Sequence, residues 1–189
     1  PMLRIGEKPI LESILESFAE YGFWRFFMAV NYKAEIIERH FGAGEKWDVQ
    51  IEYIRENEKL GTAGPLSLLP MTPTVPVLVM NADILTRVNF AYLLDFHAQS
   101  KAAATVCIRE YKHTVPYGVV RMNENMLIGI EEKPVHSSMV SAGIYVLEPE
   151  TLQKLRPGVH YEMPALLQHL VDSGRRLAGF PIHEYWLDI

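Results

Sequence analysis

Between Pro9 and Ser100 two kinds of segment take turns, and that alternation limits the folds open to the chain. Ile10, Ile14, Leu15 and Phe18 recur at helical spacing within Pro9–Tyr21, with proline at the start and Gly22 just past the end. Phe26–Val30 is a short apolar run of the kind a buried strand uses. Lys33–Phe41 is helical again and closes on Gly42-Ala-Gly44, and Val49–Ile54 reads as a strand. Gly64–Leu69 is a helical turn and Val75–Met80 the next buried strand. Asn89–Ser100 is a helix capped by Asn89, with Tyr92, Leu93 and Phe96 inward. Strands separated by helices pair through crossovers, so the first half predicts a parallel sheet with helices on both faces.

The second half changes character. Ala103–Arg109, Gly118–Met122, Met126–Glu131 and Val140–Leu147 are strand-like, with Asn123-Glu-Asn125 as a hairpin turn. Glu148–Leu155 and Met163–Ser173 are helical, and Arg176–Ile182 is a last strand. No repeat, linker or low-complexity tract divides the chain, so its 189 residues are expected to form one domain. Pro1-Met-Leu-Arg and Tyr185-Trp-Leu-Asp-Ile189 both break off abruptly, which predicts a stretch truncated at both ends.

Composition narrows the partners. The formal charge is −5 and no Lys/Arg-rich run is present, which disfavours nucleic acid. No apolar run approaches the roughly 20 residues a bilayer span needs, so no membrane partner is expected. The single cysteine, Cys107, can form no disulfide within the chain, and a reducing, cytoplasmic setting fits best. Seven histidines are scattered without an H-E-x-x-H pair, and neither G-x-G-x-x-G nor G-x-S-x-G occurs. Zinc hydrolase, dinucleotide oxidoreductase and serine hydrolase chemistries therefore drop out of the sequence reading.

Four stretches carry chemistry. Glu56-Asn-Glu-Lys-Leu60-Gly61-Thr62-Ala63-Gly64 is a glycine-containing turn, which lets backbone approach a ligand closely. Asp83 ends the most apolar strand, and Asp188 also terminates an apolar stretch. A carboxylate there needs a cation or water, and two converging from different strand ends suit Mg²⁺. Glu131-Glu132-Lys133-Pro134 offers a lysine beside a proline turn as a point charge for phosphate, with a glutamate for sugar hydroxyls. Tyr117-Gly118 and Ser141-Ala142-Gly143-Ile-Tyr145 place small residues in strands, where a ligand or another backbone comes close.

Leu60-Gly-Thr-Ala-Gly64, Glu132-Lys-Pro134, Ala142-Gly-Ile-Tyr145, Tyr161-Glu-Met-Pro164 and Trp186-Leu-Asp188, in this order, resemble the catalytic domain of sugar-1-phosphate nucleotidyltransferases. The mannose-1-phosphate guanylyltransferase-like branch is the nearest in pattern, and the resemblance runs the length of the chain. It implies an α/β fold: a three-layer α/β/α Rossmann-like domain with a mixed, mainly parallel central sheet. It implies that Leu60–Gly64 hold the nucleobase, that Asp83 and Asp188 bind Mg²⁺, and that Lys133 holds the sugar phosphate. Gly118, Glu132, Ser141, Ala142 and Gly143 would line the sugar pocket. The substrates would be a nucleoside triphosphate and a sugar 1-phosphate.

The chain departs from the family pattern at two places. Ser141 stands where asparagine is common. The family's glycine-rich, arginine-containing loop and the strand before it precede a Lys-Pro whose proline matches Pro1, and they are not in this sequence. The expectation is that residues 1–189 alone do not turn over substrate, and that uncovered sheet edges let them self-associate into a homo-oligomer. Glu56 stands where relatives that bind thymine or uracil carry glutamine. A carboxylate only accepts hydrogen bonds, and guanine offers N1–H and N2–H, so GTP is expected. The alternatives are a non-catalytic homologue that binds nucleotide sugar for regulation, and a metal-dependent glycosyltransferase. The latter's Asp-x-Asp is reduced here to Asn81-Ala-Asp83.

Overall fold

Val135–Leu147 is the longest strand, and its inner half divides the core in two. Ile144 and Val146 face one hydrophobic cluster, with Ile10, Ile14 and Phe18 from Ile10–Glu20 and Phe90 and Leu93 from Phe90–Ser100. Tyr145 and Leu147 face the other, with Leu152, Met163, Leu166 and Leu170. Side chains alternate across a strand, so two apolar faces make the central layer of a three-layer α/β/α fold. The computed structural model describes all residues, 1–189.

The strands in chain order are β1 (Arg4–Ile5), β2 (Lys8–Pro9), β3 (Arg25–Val30), β4 (Gln50–Arg55), β5 (Val77–Met80) and β6 (Ile84–Thr86), followed by β7 (Ala104–Thr114), β8 (Gly118–Asn123), β9 (Met126–Glu132), β10 (Val135–Leu147), β11 (Leu177–Pro181) and β12 (Trp186–Asp188). The helices are α1 (Ile10–Glu20), α2 (Ala34–Phe41), α3 (Phe90–Ser100), α4 (Pro149–Leu152) and α5 (Met163–Asp172), with a 3-10 turn at Gly64–Leu68. No helix is long and apolar enough to cross a membrane.

The central sheet runs β11-β7-β10-β5. β10 is antiparallel to both neighbours and β11 is parallel to β7, so three of the four strands share a direction. The sheet is mixed, with β10 as the reversed member. β3 and β4 form a separate parallel pair, packed through Met28, Val30 and Ile51 on Leu15 of α1 and Phe41 of α2. Asn89 caps α3 as expected, its side-chain oxygen accepting the Tyr92 N–H at 3.1 Å.

Several expectations about elements need correction. Tyr92 of α3, expected to face inward, is exposed. β7 continues past Arg109 to Thr114 and β10 begins at Val135, forming a long ladder whose outer residues are exposed. Hydrophobic pattern marks a strand only where a face is buried, so this arm left no trace in it. β6 and β12 are short strands that pair antiparallel and were not expected as strands. The helix expected over Glu148–Leu155 ends at Leu152.

Candidate active site

The β6–β12 pairing brings the two aspartates to neighbouring positions. Asp188 stands opposite Ile84, the residue after Asp83, and the Ile189 N–H donates to the Asp83 carbonyl at 3.2 Å. Asp188 is exposed and Asp83 half-buried. Asp83 Oδ1 is shielded from solvent and has no hydrogen-bond partner. A buried carboxylate oxygen without a donor is costly, by roughly 1–3 kcal/mol or more for a charged group, so this atom is suited to a cation.

The Ser141–Tyr145 stretch of β10 is drawn to the same rim by a bulge. Ser141 opposes Ile108 and Tyr145 opposes Val106, so four steps on β10 span two on β7. Gly143 sits at φ +70°, and its carbonyl accepts the Asn81 N–H at 3.0 Å. A Cβ there would strike Ile84 Cδ1 and approach Asn81 Nδ2 to 2.9 Å. The close approach read from Ala142-Gly143 is therefore to the chain's own Asn81–Ile84 turn. Trp186 Nε1 donates to the Ala142 carbonyl at 2.9 Å and locks β12 onto the bulge. Ser141 Oγ lies 2.9 Å from Tyr145 Oη, and the Tyr145 ring is buried among Ala63 and Met163.

The Leu60–Gly64 loop is held by Tyr161-Glu162. Ala63 and Gly64 N–H groups donate to the Tyr161 carbonyl at 2.9 and 3.0 Å, and the Tyr161 N–H donates to the Leu60 carbonyl at 2.7 Å. Glu162 Oε2 accepts both the Thr62 hydroxyl at 2.8 Å and the Thr62 N–H at 3.2 Å, while Thr62 Oγ1 accepts the Met163 N–H at 2.7 Å. The Thr62 hydroxyl and N–H, aided by His160, hold the Glu162 carboxyl below the usual carboxylate range. Gly61 lies at φ +78°, and a Cβ would come within 2.6 Å of the Tyr161 carbonyl oxygen. Here too the glycine admits the chain's own backbone. Glu56 Oε2 accepts the Leu60 N–H at 2.9 Å, so half of that carboxylate closes its own turn.

Gly118, Glu132 and Lys133 lie on the β8–β9 hairpin, and no hydrogen bond joins them to the Asp83 group. Gly118 is directly opposite Glu132. The Lys133 backbone is fixed at φ +48° with its N–H on the Tyr117 carbonyl at 3.2 Å, while its ammonium is exposed, 3.9 Å from Glu132 Oε1. Motif residues thus fall into a rim (Asp83, Asp188, Ser141–Gly143), a clamped loop (Leu60–Gly64) and an exposed hairpin.

Sequence reading missed two participants. Arg109 extends from β7 to the rim, its Nη1 3.4 Å from the Trp186 carbonyl oxygen and its guanidinium 5.6 Å from the Trp186 ring centre. A charge directly after the apolar Val106-Cys107-Ile108 run was the available signal. Glu162 was noted only within a motif, because its partner Thr62 is 100 residues away in the chain. A half-open cavity of about 200 Å³ between α1 and β6 has Ile14, Met80, Ile84 and Phe90 in its lining, which suits apolar contact and not a phosphate.

Comparison with known proteins bears on the family and the fold. The family model "Nucleotidyl transferase" matches residues 1–189. The mannose-1-phosphate guanyltransferase of Schizosaccharomyces pombe is 32% identical over all of this chain and 54% of its own length. The catalytic subunit beta of the Drosophila melanogaster mannose-1-phosphate guanylyltransferase is 30% identical over all of this chain and 53% of its own length. The chain spans about half the length of these curated relatives. Among solved structures, HddC from Yersinia pseudotuberculosis superposes with a TM-score of 0.74 at 20% identity, covering all of this chain and 83% of that one. A putative glucose-1-phosphate thymidylyltransferase from Bacillus anthracis gives 0.75 at 18% identity over 99% of this chain and 79% of its own. These neighbours share the mixed-sheet, Rossmann-like fold, and with the family model matched from end to end, the chain belongs to the nucleotidyl transferase family.

Proposed function

We propose that the protein transfers GMP from GTP to a sugar 1-phosphate, releasing pyrophosphate and leaving a nucleotide sugar. The observation that carries this reading is the rim itself, where Asp83, with a buried and unpartnered oxygen, stands beside Asp188. The guanylyltransferase relatives support the choice of reaction, and an HddC structure complexed with GMP-PN supports nucleotide binding by this fold.

In the proposed reaction a phosphate oxygen of the sugar 1-phosphate bonds to the α-phosphorus of the triphosphate. The bond from that phosphorus to the bridging oxygen breaks, and the electron pair leaves with pyrophosphate. Two anions must converge, so positioning and charge neutralisation supply the rate. Asp83 and Asp188 would hold Mg²⁺, which when bound orients the phosphates and withdraws charge from them. Arg109 adds a fixed guanidinium beside the rim, and Lys133 brings a mobile ammonium to the sugar phosphate from the hairpin. Glu162 holds the Leu60–Gly64 loop in one shape for the base, through Thr62. Glu56 keeps Oε1 available to accept from guanine while Oε2 closes the turn. Residues 1–189 contain no glycine-rich triphosphate loop, so this stretch alone should bind substrates without turning them over.

The test is pyrophosphate release by the full-length protein, over a panel of triphosphates with sugar 1-phosphates and Mg²⁺. GTP with mannose 1-phosphate is expected to be among the best pairs, and Glu56→Gln to erode the preference for GTP over UTP. A preference for UTP or dTTP, or selectivity unchanged in Glu56→Gln, removes the guanine assignment. No transfer with any pair would leave a nucleotide-sugar-binding homologue. Robust release by residues 1–189 alone would contradict the expectation that this stretch does not turn substrates over.

A further inference from the structure

His113 on β7 and His136 on β10 are directly opposite one another in the antiparallel ladder. Their ring centres are 5.3 Å apart and their planes inclined by 31°. Directly opposed residues project from the same face, so the two imidazoles share one patch of surface. Both are exposed, and neither makes a hydrogen bond. His40, His97 and His160 differ in this respect, being tied to Glu12, to Thr105 and Glu148, and to Glu162.

The separation has a chemical meaning. An imidazole nitrogen binds a divalent transition ion at about 2.0–2.1 Å, which puts the ion roughly 3.2 Å from the ring centre; two rings at the tetrahedral angle are then about 5.2 Å apart. The observed spacing matches without movement of either strand, and turning exposed rings about their side-chain bonds is a low-cost adjustment. Tyr111 and Ser138, themselves a cross-strand pair, occupy the same face, with the Tyr111 ring 6.4 Å from that of His113. Glu110, Lys112 and Ser137 project from the other face, where Ser137 donates to Glu110 and Lys112 pairs with it. No group of three or more His, Cys, Asp or Glu side chains is placed to hold a metal, so water would complete the coordination.

We propose that His113 and His136 form a two-histidine site for a borderline divalent ion of the Zn²⁺, Ni²⁺ and Cu²⁺ class. Imidazole pairs favour these ions over Mg²⁺, which prefers oxygen. Occupancy would staple β7 to β10 on the exposed arm that ends at the hairpin carrying Glu132 and Lys133. The site does not depend on the transfer reaction proposed above. Sequence spacing concealed it, because the two histidines meet through strand pairing and not within a helical turn.

Zn²⁺ alone is the probe, titrated into the chain in excess Mg²⁺ so that the rim carboxylates are not read. Imidazole resonances report the site and calorimetry the stoichiometry. The His113 and His136 rings are expected to shift together and saturate at one ion per chain, with slower amide exchange at Lys112–Thr114. An outer-shell partner of a metal ligand is commonly worth about ten- to a hundredfold in affinity. His113→Gln and His136→Gln, each removing a ligand itself, should therefore weaken binding at least about tenfold. His183→Gln should leave it unchanged. Unmoved His113 and His136 rings, or single variants that bind Zn²⁺ as tightly as the parent, would overturn the proposal.

Discussion

At the scale of single residues, several side chains are placed by contacts that only the folded chain creates. Gly143 is the clearest case. Its positive φ costs a residue with a Cβ about 1–2 kcal/mol, and the collision with Ile84 and Asn81 adds overpacking of about 1–3 kcal/mol. Gly143→Ala should therefore lower stability by about 2–5 kcal/mol in denaturant unfolding. A loss below about 0.5 kcal/mol would mean that the bulge is not rigidly seated. The site residues were legible as types but not as neighbours. Asp83 and Asp188 each end an apolar run, which sequence displays; that their backbones lie one register step apart depends on β6–β12 pairing, which it does not. The glycines of Leu60–Gly64 were legible as a close approach, and the approaching group is Tyr161. The Cys107 thiol, fully buried, has its pKa pushed up to about 12 by that burial with a smaller effect from Glu184, so it is unreactive near neutral pH.

At the scale of elements, α1 is fastened to α2 and the turn that follows by a buried carboxylate. Glu12, 4% exposed, lies 2.7 Å from His40 Nε2 and 2.8 Å from Lys46 Nζ. Burial pushes its carboxyl upward, but the hydrogen bonds and charges of Lys46 and His40 outweigh that and hold it below the usual range. Removing Glu12 and removing its partners are not equivalent. Glu12→Gln leaves partly exposed partners that water can solvate, and should cost about 1–2 kcal/mol. His40→Ala with Lys46→Ala leaves a buried charge unpaired, and should cost about 3–5 kcal/mol at pH 7. Equal losses would refute the clasp. A carboxyl whose pKa is lowered by folding contributes stability that is present above its unfolded value, near 4.5, and lost as pH falls through its folded value. Stability should therefore drop below about pH 4.5, and less steeply in Glu12→Gln than in the parent. Helices α1, α2 and α3 and the inner strands were legible because their apolar faces are buried. The outer β7–β10 arm, whose residues are exposed, carried no such signal.

At the scale of the molecule, alternation in the first half specified the layers, and β10 reversed the centre of the sheet. The Ser141–Tyr145 bulge of that strand meets the Asn81–Ile84 turn on one side, and Tyr145 reaches the layer that holds Ala63 on the other. A single strand thereby sets the spacing between the rim and the Leu60–Gly64 loop. β5 and β11 are the edges of the central sheet, and β3 and β4 each pair on one side only. The proposed transfer requires the rim to hold one divalent cation between Asp83 and Asp188. The direct measurement is paramagnetic broadening by Mn²⁺, used in place of Mg²⁺ and added well below one equivalent to the isotope-labelled chain. The account predicts selective loss of the Asp83, Ile84, Asp188 and Ile189 amide signals, abolished in both Asp83→Asn and Asp188→Asn. Broadening centred elsewhere, or unchanged in either variant, would contradict it.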